Sequence, residues 1–359
     1  MSKRKSGHAG GRRPQPAPAV VTANDVARRA GVSLSTVSRT FTEGASVSSA
    51  TRKLVSETAK SLGYRPNILA RSLMTNRTEL IGLITSEFEN PIYLEILSQF
   101  ITSLQRQGLR PLVVNLTEGL PANGALGILM QYKVDGVIVA SSGLHAEFAK
   151  ACAAMGLPLV QAFGRPVGEI AANSVGADNY AGGRTAAELM CRHGYRKLAY
   201  LGGPENATST IDRLKGFREH LELAGASLVD KRFSPAFSYH GGLEAMRDIL
   251  STGHAEAVFC GNDVMAMGAF DACREANIAV PEQMGIVGFD DIPMAAWGGY
   301  NLTTIRQPIG DIVATAVELI VSLISGPKRA AVAQLFSCMA VERGTLRPLA
   351  PHSHSQDRE

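Results

Sequence analysis

Two patterns of apolar positions divide this chain. Before about residue 75 the apolar residues recur at helical spacing in short bursts. Val26, Ala27 and Ala30 form the first, Val37 and Phe41 the second, and Leu54, Val55, Ala59 and Leu62 the third. Local signals mark where each burst starts and stops. Thr22 followed by Asp25 has capping-box spacing, with Asp in place of Glu or Gln. Gly31 permits a tight turn. Ser33 and Ser48 can cap helices over Leu34–Phe41 and about 49–62, and Gly63 can end the last of them. The spacing predicts three short helices joined by sharp turns. Val37 and Phe41 face inward, leaving Ser35, Thr36 and Arg39 outside.

From Leu80 the pattern changes. Short apolar runs at Leu80–Ile84, Pro111–Val114, Gly136–Val139, Leu157–Gln161, Ser174–Ala177, Leu198–Leu201, Ala257–Cys260 and Gly285–Val287 read as buried strands. Helical stretches such as Tyr93–Arg106, Tyr180–Arg192, Asp212–Ala224 and Val264–Glu275 lie between them. Strands alternating with helices predict parallel sheets covered on both faces. The length suffices for two lobes of similar size. The expected fold is therefore a small all-α helix-turn-helix head followed by an α/β, two-lobed core of the periplasmic-binding-protein type.

Charge sharpens this division. The net +4 hides 14 Lys+Arg against 3 Asp+Glu in residues 1–78 and an acidic balance beyond them. Without residues 1–20 the head still has 9 basic and 3 acidic residues, so the leader is not the whole effect. A basic head of this kind suits a polyanion partner. The Gly/Pro-rich basic leader, 1–20, and the tail, 348–359, are expected to be disordered. The five cysteines are isolated, with no CxxC pair, and no His stands at metal-ligand spacing, so no metal or other cofactor is expected. The start leads into Gly, Arg and Pro rather than an apolar segment, and no run approaches the ~18 apolar residues of a membrane span. A cytoplasmic, nucleoid-associated location is expected.

The strings DVARRAGVSLSTVSR, VS-x-x-TR, GYRPN and ARSL follow one another in that order. Together they resemble the lactose/galactose-repressor (LacI/GalR) family of bacterial transcription factors, and the likeness runs from about Thr22 to the mid-340s. It implies that the second helix enters the major groove of operator DNA, with Leu34, Ser35 and Arg39 at base edges. Arg39 has the chemistry for a bidentate contact to guanine, and Leu34 that for a thymine methyl. Thr22, Thr36, Ser38 and Arg52 are assigned to phosphate contacts or local caps. The hinge carries Asn67, Arg71 and Leu73. Asn67 can cap a segment too short to be a stable helix alone, and the resemblance implies that Leu73 wedges into a minor-groove step. The implied divisions are 21–66 for the helix-turn-helix domain and 67–78 for the hinge. The core, 79–347, splits into lobe one (79–176 and 306–328) and lobe two (177–305 and 329–347), with the third crossing near Lys328.

Parallel sheets place ligand sites beyond the carboxyl ends of their strands. The loops there are polar: residues 87–93, 141–143, 163–165, 202–213, 261–263 and 288–291. Family position implies Tyr93, Arg213, Phe237, Asn262 and Asp290 as effector contacts. Phe163 lies in the loop after the fourth strand, where sugar-binding relatives often carry an acid or amide. Arg165 beside it could favour an anionic group. Local alternatives exist for several of these: Asn262 can cap its helix, Asp290 can hold its own turn, and Arg213 can pair with Asp212 or Glu219. Amides, carboxylates and aromatic faces suit a carbohydrate or sugar acid. A homodimer is expected, because two heads must span successive major grooves of a near-palindromic operator. A sugar-binding transport protein with a basic extension is the competing class, and the lack of an export signal argues against it. An enzyme is not expected: Gly202-Gly203-Pro204 is not GxGxxG, and no nucleophile elbow occurs.

Overall fold

The computed structural model describes residues 21–42, 45–65, 72, 77–85, 90–116, 122–141, 146–165, 172–326 and 330–349. The expected hinge contacts Asn67, Arg71 and Leu73, and the expected leader and tail, lie outside the described residues, apart from 348 and 349. The chain divides into two compact units at Thr78/Glu79.

In the first unit, helices α1 (Ala23–Ala30), α2 (Leu34–Thr40) and α3 (Ser49–Leu62) form where the caps place them. The Asp25 carboxylate accepts from the Thr22 backbone N–H at 3.0 Å and its hydroxyl at 2.7 Å. Ser33 and Ser48 each accept a backbone N–H three residues on, at 3.2 Å. Gly31 and Gly63 close α1 and α3 in the left-handed region. Val26, Val37 and Val55, one from each helix, are fully buried together with Ala27 and Ala59. Phe41 and Tyr64 pack at the margin of this core, ring centroids 5.9 Å apart. So small a core makes the helix caps a large share of the stability.

The second unit contains two parallel-rich sheets. The first comprises β1 (Leu80–Thr85), β2 (Arg110–Asn115), β3 (Gly136–Ala140), β4 (Leu159–Ala162), β5 (Asn173–Ala177) and β11 (Ala333–Phe336), in the order β11-β5-β4-β3-β1-β2. The second comprises β6 (Lys197–Gly202), β7 (Ser227–Phe233), β8 (Ala257–Cys260), β9 (Gly285–Asp290), β10 (Thr303–Arg306) and β12 (Met339–Val341), in the order β12-β10-β9-β8-β6-β7. All pairs are parallel except β10 with β12. Central strands such as β3, β4 and β8 are buried on both faces, as strands covered by helices must be.

The chain crosses between lobes three times. It leaves the first sheet after β5 and returns after β10 through helix α11 (Ile309–Ser325), which packs on α4 (Ile92–Arg106) and on β3, β4 and β5. The third crossing is a correction. It was expected near Lys328, but β11 pairs with β5 in the first sheet, Ala333 opposite Ser174. The crossing therefore falls at Ser337 and Cys338, between β11 and β12, and residues 330–336 belong with the first lobe. In the second lobe, helices α7 (Asn179–Arg192) and α8 (Thr208–Leu223) approach so closely that a Cβ on Gly183 would lie 2.1 Å from the Arg213 carbonyl oxygen. A residue without a side chain at 183 thus sets the depth of Arg213.

Candidate functional site

The second helix of the head presents a sharply two-sided surface. Val37 and Thr40 are buried, whereas Leu34 is 48% exposed and Ser35 and Arg39 are also exposed. Ser35 and Thr36 turn their hydroxyls to Ser33 Oγ, each at 2.8 Å, and Thr36 N–H caps on the same oxygen. Thr40 and Thr42 bond back to the carbonyls of Thr36 and Ser38, each at 2.9 Å. Polar groups that would compete for base edges are thereby engaged locally, and Arg39 remains an unpaired cation among the described residues. Arg52 has a different place from the expected phosphate contact. Its guanidinium donates to the carbonyls of Thr40, at 2.5 Å, and Ala45, at 3.0 Å. It satisfies a carbonyl left open at the end of α2 and ties α3 to that end. Thr22 is likewise engaged by Asp25, whose carboxyl is held below its ordinary pKa by the hydroxyl and backbone bonds from Thr22.

In the second unit a narrow cleft lies between the two lobes at the carboxyl ends of the strands, with a cavity volume of about 30 Å³. All six expected residues line it: Tyr93 and Phe163 from the first lobe, and Arg213, Phe237, Asn262 and Asp290 from the second. Asp290 ends β9, and the others sit just beyond a strand or on the first turns of the helix that follows. Asn90, Ile92, Ile96, Ser209 and Gln307 also line the cleft and were not singled out from the sequence. Two of these had a signal. Ser209 lies four residues before Arg213 on one helix face, and Gln307 directly follows β10, where the chain changes lobes.

Arg213 is 5% exposed and fixed on all sides. Its Nε donates to Asn179 Oδ1 at 2.8 Å, one terminal nitrogen donates to the Gly261 carbonyl, and the other lies 4.0 Å from Asp290 Oδ1. The guanidinium stacks 3.5 Å above the Phe289 ring. Asp290, 4% exposed, accepts from Gln307 at 2.6 Å and from Asn90 at 3.5 Å. Burial pushes its carboxyl above the ordinary range, while Arg213, Gln307 and Asn90 pull it back. Contacts to Asp290 therefore come from the first lobe, the second lobe and the crossing between them. Neither Asp212 nor Glu219 is the partner of Arg213. Asp212 instead takes a bidentate pair from Arg165 across the lobes, at 2.7 and 2.9 Å.

Asn262 combines two roles. Its Oδ1 caps α10 (Asp263–Glu275) by accepting the Met265 N–H at 2.9 Å. Its Nδ2, buried on the cleft wall, has no partner among the described residues. A buried donor left unpaired costs about 1–3 kcal/mol, so this amide is poised for an acceptor on a bound molecule. Phe163, Asp290 and Asp291 have φ values of 67°, 114° and 60°, which costs of order 1–3 kcal/mol each for non-glycine residues. The first two line the cleft. Phe163 packs edge-on against Phe100, centroids 6.4 Å apart. Phe237 lies against Gly203, where an added Cβ would meet its ring at 2.4 Å. Asp263 and Asp291 do not line the cleft. Asp263 bonds Thr304 and the Ile292 N–H, and Asp291 pairs with Arg306 and Arg343, so both brace the turns between the strands.

Among the described residues no helix is long and apolar enough to cross a membrane, and no group of three or more His, Cys, Asp or Glu could hold a metal. All five cysteines are free thiols.

Comparison with known proteins gives a consistent result. A family model described as bacterial regulatory proteins, lacI family, matches residues 22–67, and one described as a periplasmic binding protein-like domain matches 187–346. The chain is 33% identical over 310 residues to the HTH-type transcriptional regulator CelR of Thermobifida fusca, covering 84% of this chain and 91% of that protein. It is 33% identical over 313 residues to the ribose operon repressor of Escherichia coli K12, covering 86% and 94%. A solved lac repressor dimer bound to operator and the anti-inducer ONPF is similar with a TM-score of 0.81 and 26% identity, over 91% of this chain and 99% of that one.

Proposed function

Because the chain belongs to the lacI family of bacterial regulatory proteins, we propose that it is a sequence-specific transcriptional repressor whose affinity for operator DNA is set by a sugar or sugar derivative bound between its two lobes. The observation that carries this reading is the pairing, in one chain, of a basic head whose second helix exposes Leu34, Ser35 and Arg39 with a cleft lined by an unpartnered amide donor. The protein acts as a homodimer on a near-palindromic site in the cytoplasm, since two copies of the head are needed to meet successive major grooves. Arg39 reads a guanine, and Leu34 makes apolar contact beside it. Asn67, Arg71 and Leu73 order on DNA as a hinge, with Leu73 as the wedge.

In the cleft, Arg213, Asn262 and Asp290 hold hydroxyls. Tyr93, Phe163 and Phe237 offer aromatic faces to the ligand's C–H face. A ligand can shift operator affinity only by favouring one arrangement of the lobes. The contacts on Asp290 from both lobes and from Gln307 support it as the point where occupancy is felt. The test is a gel shift with fragments of the source genome followed by addition of candidate sugars. Specific retention that a sugar changes is the expected result. Retention equal to that of random DNA, at moderate salt, would refute the reading.

A further inference from the structure

The charges around the cleft say more about the ligand than its size does. Among the described residues the lining holds one cation, Arg213, and one carboxylate, Asp290. They face each other at 4.0 Å, so their charges are matched, and two of the three guanidinium nitrogens are already taken by Asn179 and the Gly261 carbonyl. The next cation, Arg165, follows Phe163 by two residues. Its guanidinium is closed by both oxygens of Asp212, which directly precedes Arg213. No described cation is left over to meet a carboxylate or phosphate inside the cleft. An anionic group would give up its hydration for a site whose positive charges are matched, which is strongly unfavourable. Among the fully buried side-chain atoms of the described lining, the unpartnered one is Asn262 Nδ2, a neutral donor suited to a hydroxyl or ring oxygen.

We infer that the site selects uncharged polyhydroxylated ligands and rejects their acids and phosphate esters, and that Asp212 enforces this by holding Arg165 away from the ligand. The inference rests on the effector reading above and narrows it. It also assigns the Arg165–Asp212 pair a purpose beyond joining the lobes. Both side chains are partly exposed, Arg165 46% and Asp212 21%, so an exchange there perturbs the core little.

The full-length protein tests this by calorimetry with matched probes: D-ribose, D-ribonate and D-ribose 5-phosphate, then D-glucose, D-gluconate and D-glucose 6-phosphate. In the wild type no acid or phosphate should bind more tightly than its parent sugar. Asp212→Asn leaves Arg165 unpaired, and affinity for at least one anionic probe should rise by about tenfold or more. Arg165→Gln breaks the same pair without freeing a cation and should give no such gain. The double variant should lose the gain again, which separates a freed charge from a loosened cleft. An acid or phosphate preferred by the wild type would overturn the inference. So would an Asp212→Asn protein with no gain for any anion, or an equal gain in Arg165→Gln. Failure of the regulator reading would appear elsewhere, as absence of specific operator binding, and leaves these affinity ratios unaffected.

Discussion

Asn262 allows its two roles to be separated by substitution. Replacing it with Ser keeps a side-chain oxygen for the Met265 N–H, now met by Asn262 Oδ1 at 2.9 Å, and Ser caps about as well as Asn. The shorter side chain removes the amide Nδ2 from the cleft wall. Asn262→Ser should therefore leave thermal stability within a few tenths of a kcal/mol, or raise it slightly, because an unpaired buried donor disappears. Ala removes both groups and should lie about 1 kcal/mol below Asn262→Ser for the lost cap, or about 2–4 °C lower in Tm for a unit of this size. Both variants leave a ligand acceptor buried without its donor, a loss of about 1–3 kcal/mol, or roughly five- to 150-fold in Kd. Calorimetry with a ligand found in the screen and differential scanning calorimetry of the three proteins give the four numbers. Unchanged ligand affinity in Asn262→Ser would refute the role given to Nδ2, and an equal Tm in Asn262→Ala and Asn262→Ser would refute the cap.

Other expectations concern the head. Arg39→Ala should lose about 1–3 kcal/mol on the cognate operator and relax preference at one guanine per half-site; equal losses on cognate and random DNA in fluorescence anisotropy would contradict base contact. Arg52→Ala should act through folding instead, lowering head stability by about 2 kcal/mol for two lost charge-assisted bonds, seen as faster amide exchange in α2 and α3; unchanged exchange with a smaller salt slope would return Arg52 to the phosphates. The Asp25 carboxyl has a lowered pKa in the folded head, so its contribution is complete above about pH 4 and is lost as pH falls through the folded value. Asp25→Asn should remove that part of the acid dependence of α1 exchange, and superimposable pH profiles would contradict the capping box.

Much of this was legible because local and tertiary signals agree. Thr22, Ser33, Ser48, Gly31 and Gly63 mark helix ends by chemistry that acts within four residues, and the helices form there. The central strands are apolar on both faces and stand out as runs. Strand β7 does not, because it lies at a sheet edge and carries Asp230, Lys231 and Arg232, the charges that keep an edge from pairing with other chains. β11 and β12 are short, and Leu335 and Met339 on them are more than half exposed, so no burial pattern reveals them or the crossing between them. In the cleft five of the expected residues came from family position and Phe163 from its loop after the fourth strand, and the structure brings all six together. What sequence could not supply was pairing at a distance. Arg52 meets a carbonyl twelve residues away, Arg165 meets Asp212 from the other lobe, and Asn90 meets Asp290 200 residues on. Each of these reassigns a charge or amide that, read alone, looks free for a ligand.

The central claim is that the cleft and the operator site share one conformational equilibrium. Linkage requires that operator DNA change ligand affinity by the same factor by which ligand changes operator affinity. The most direct measurement is calorimetric titration of the ligand into the free protein and into its operator complex, beside operator titrations with and without ligand. The account gives equal, non-unit ratios from the two pairs of titrations. Identical ligand affinities for the free and operator-bound protein would contradict it, however tightly the cleft binds.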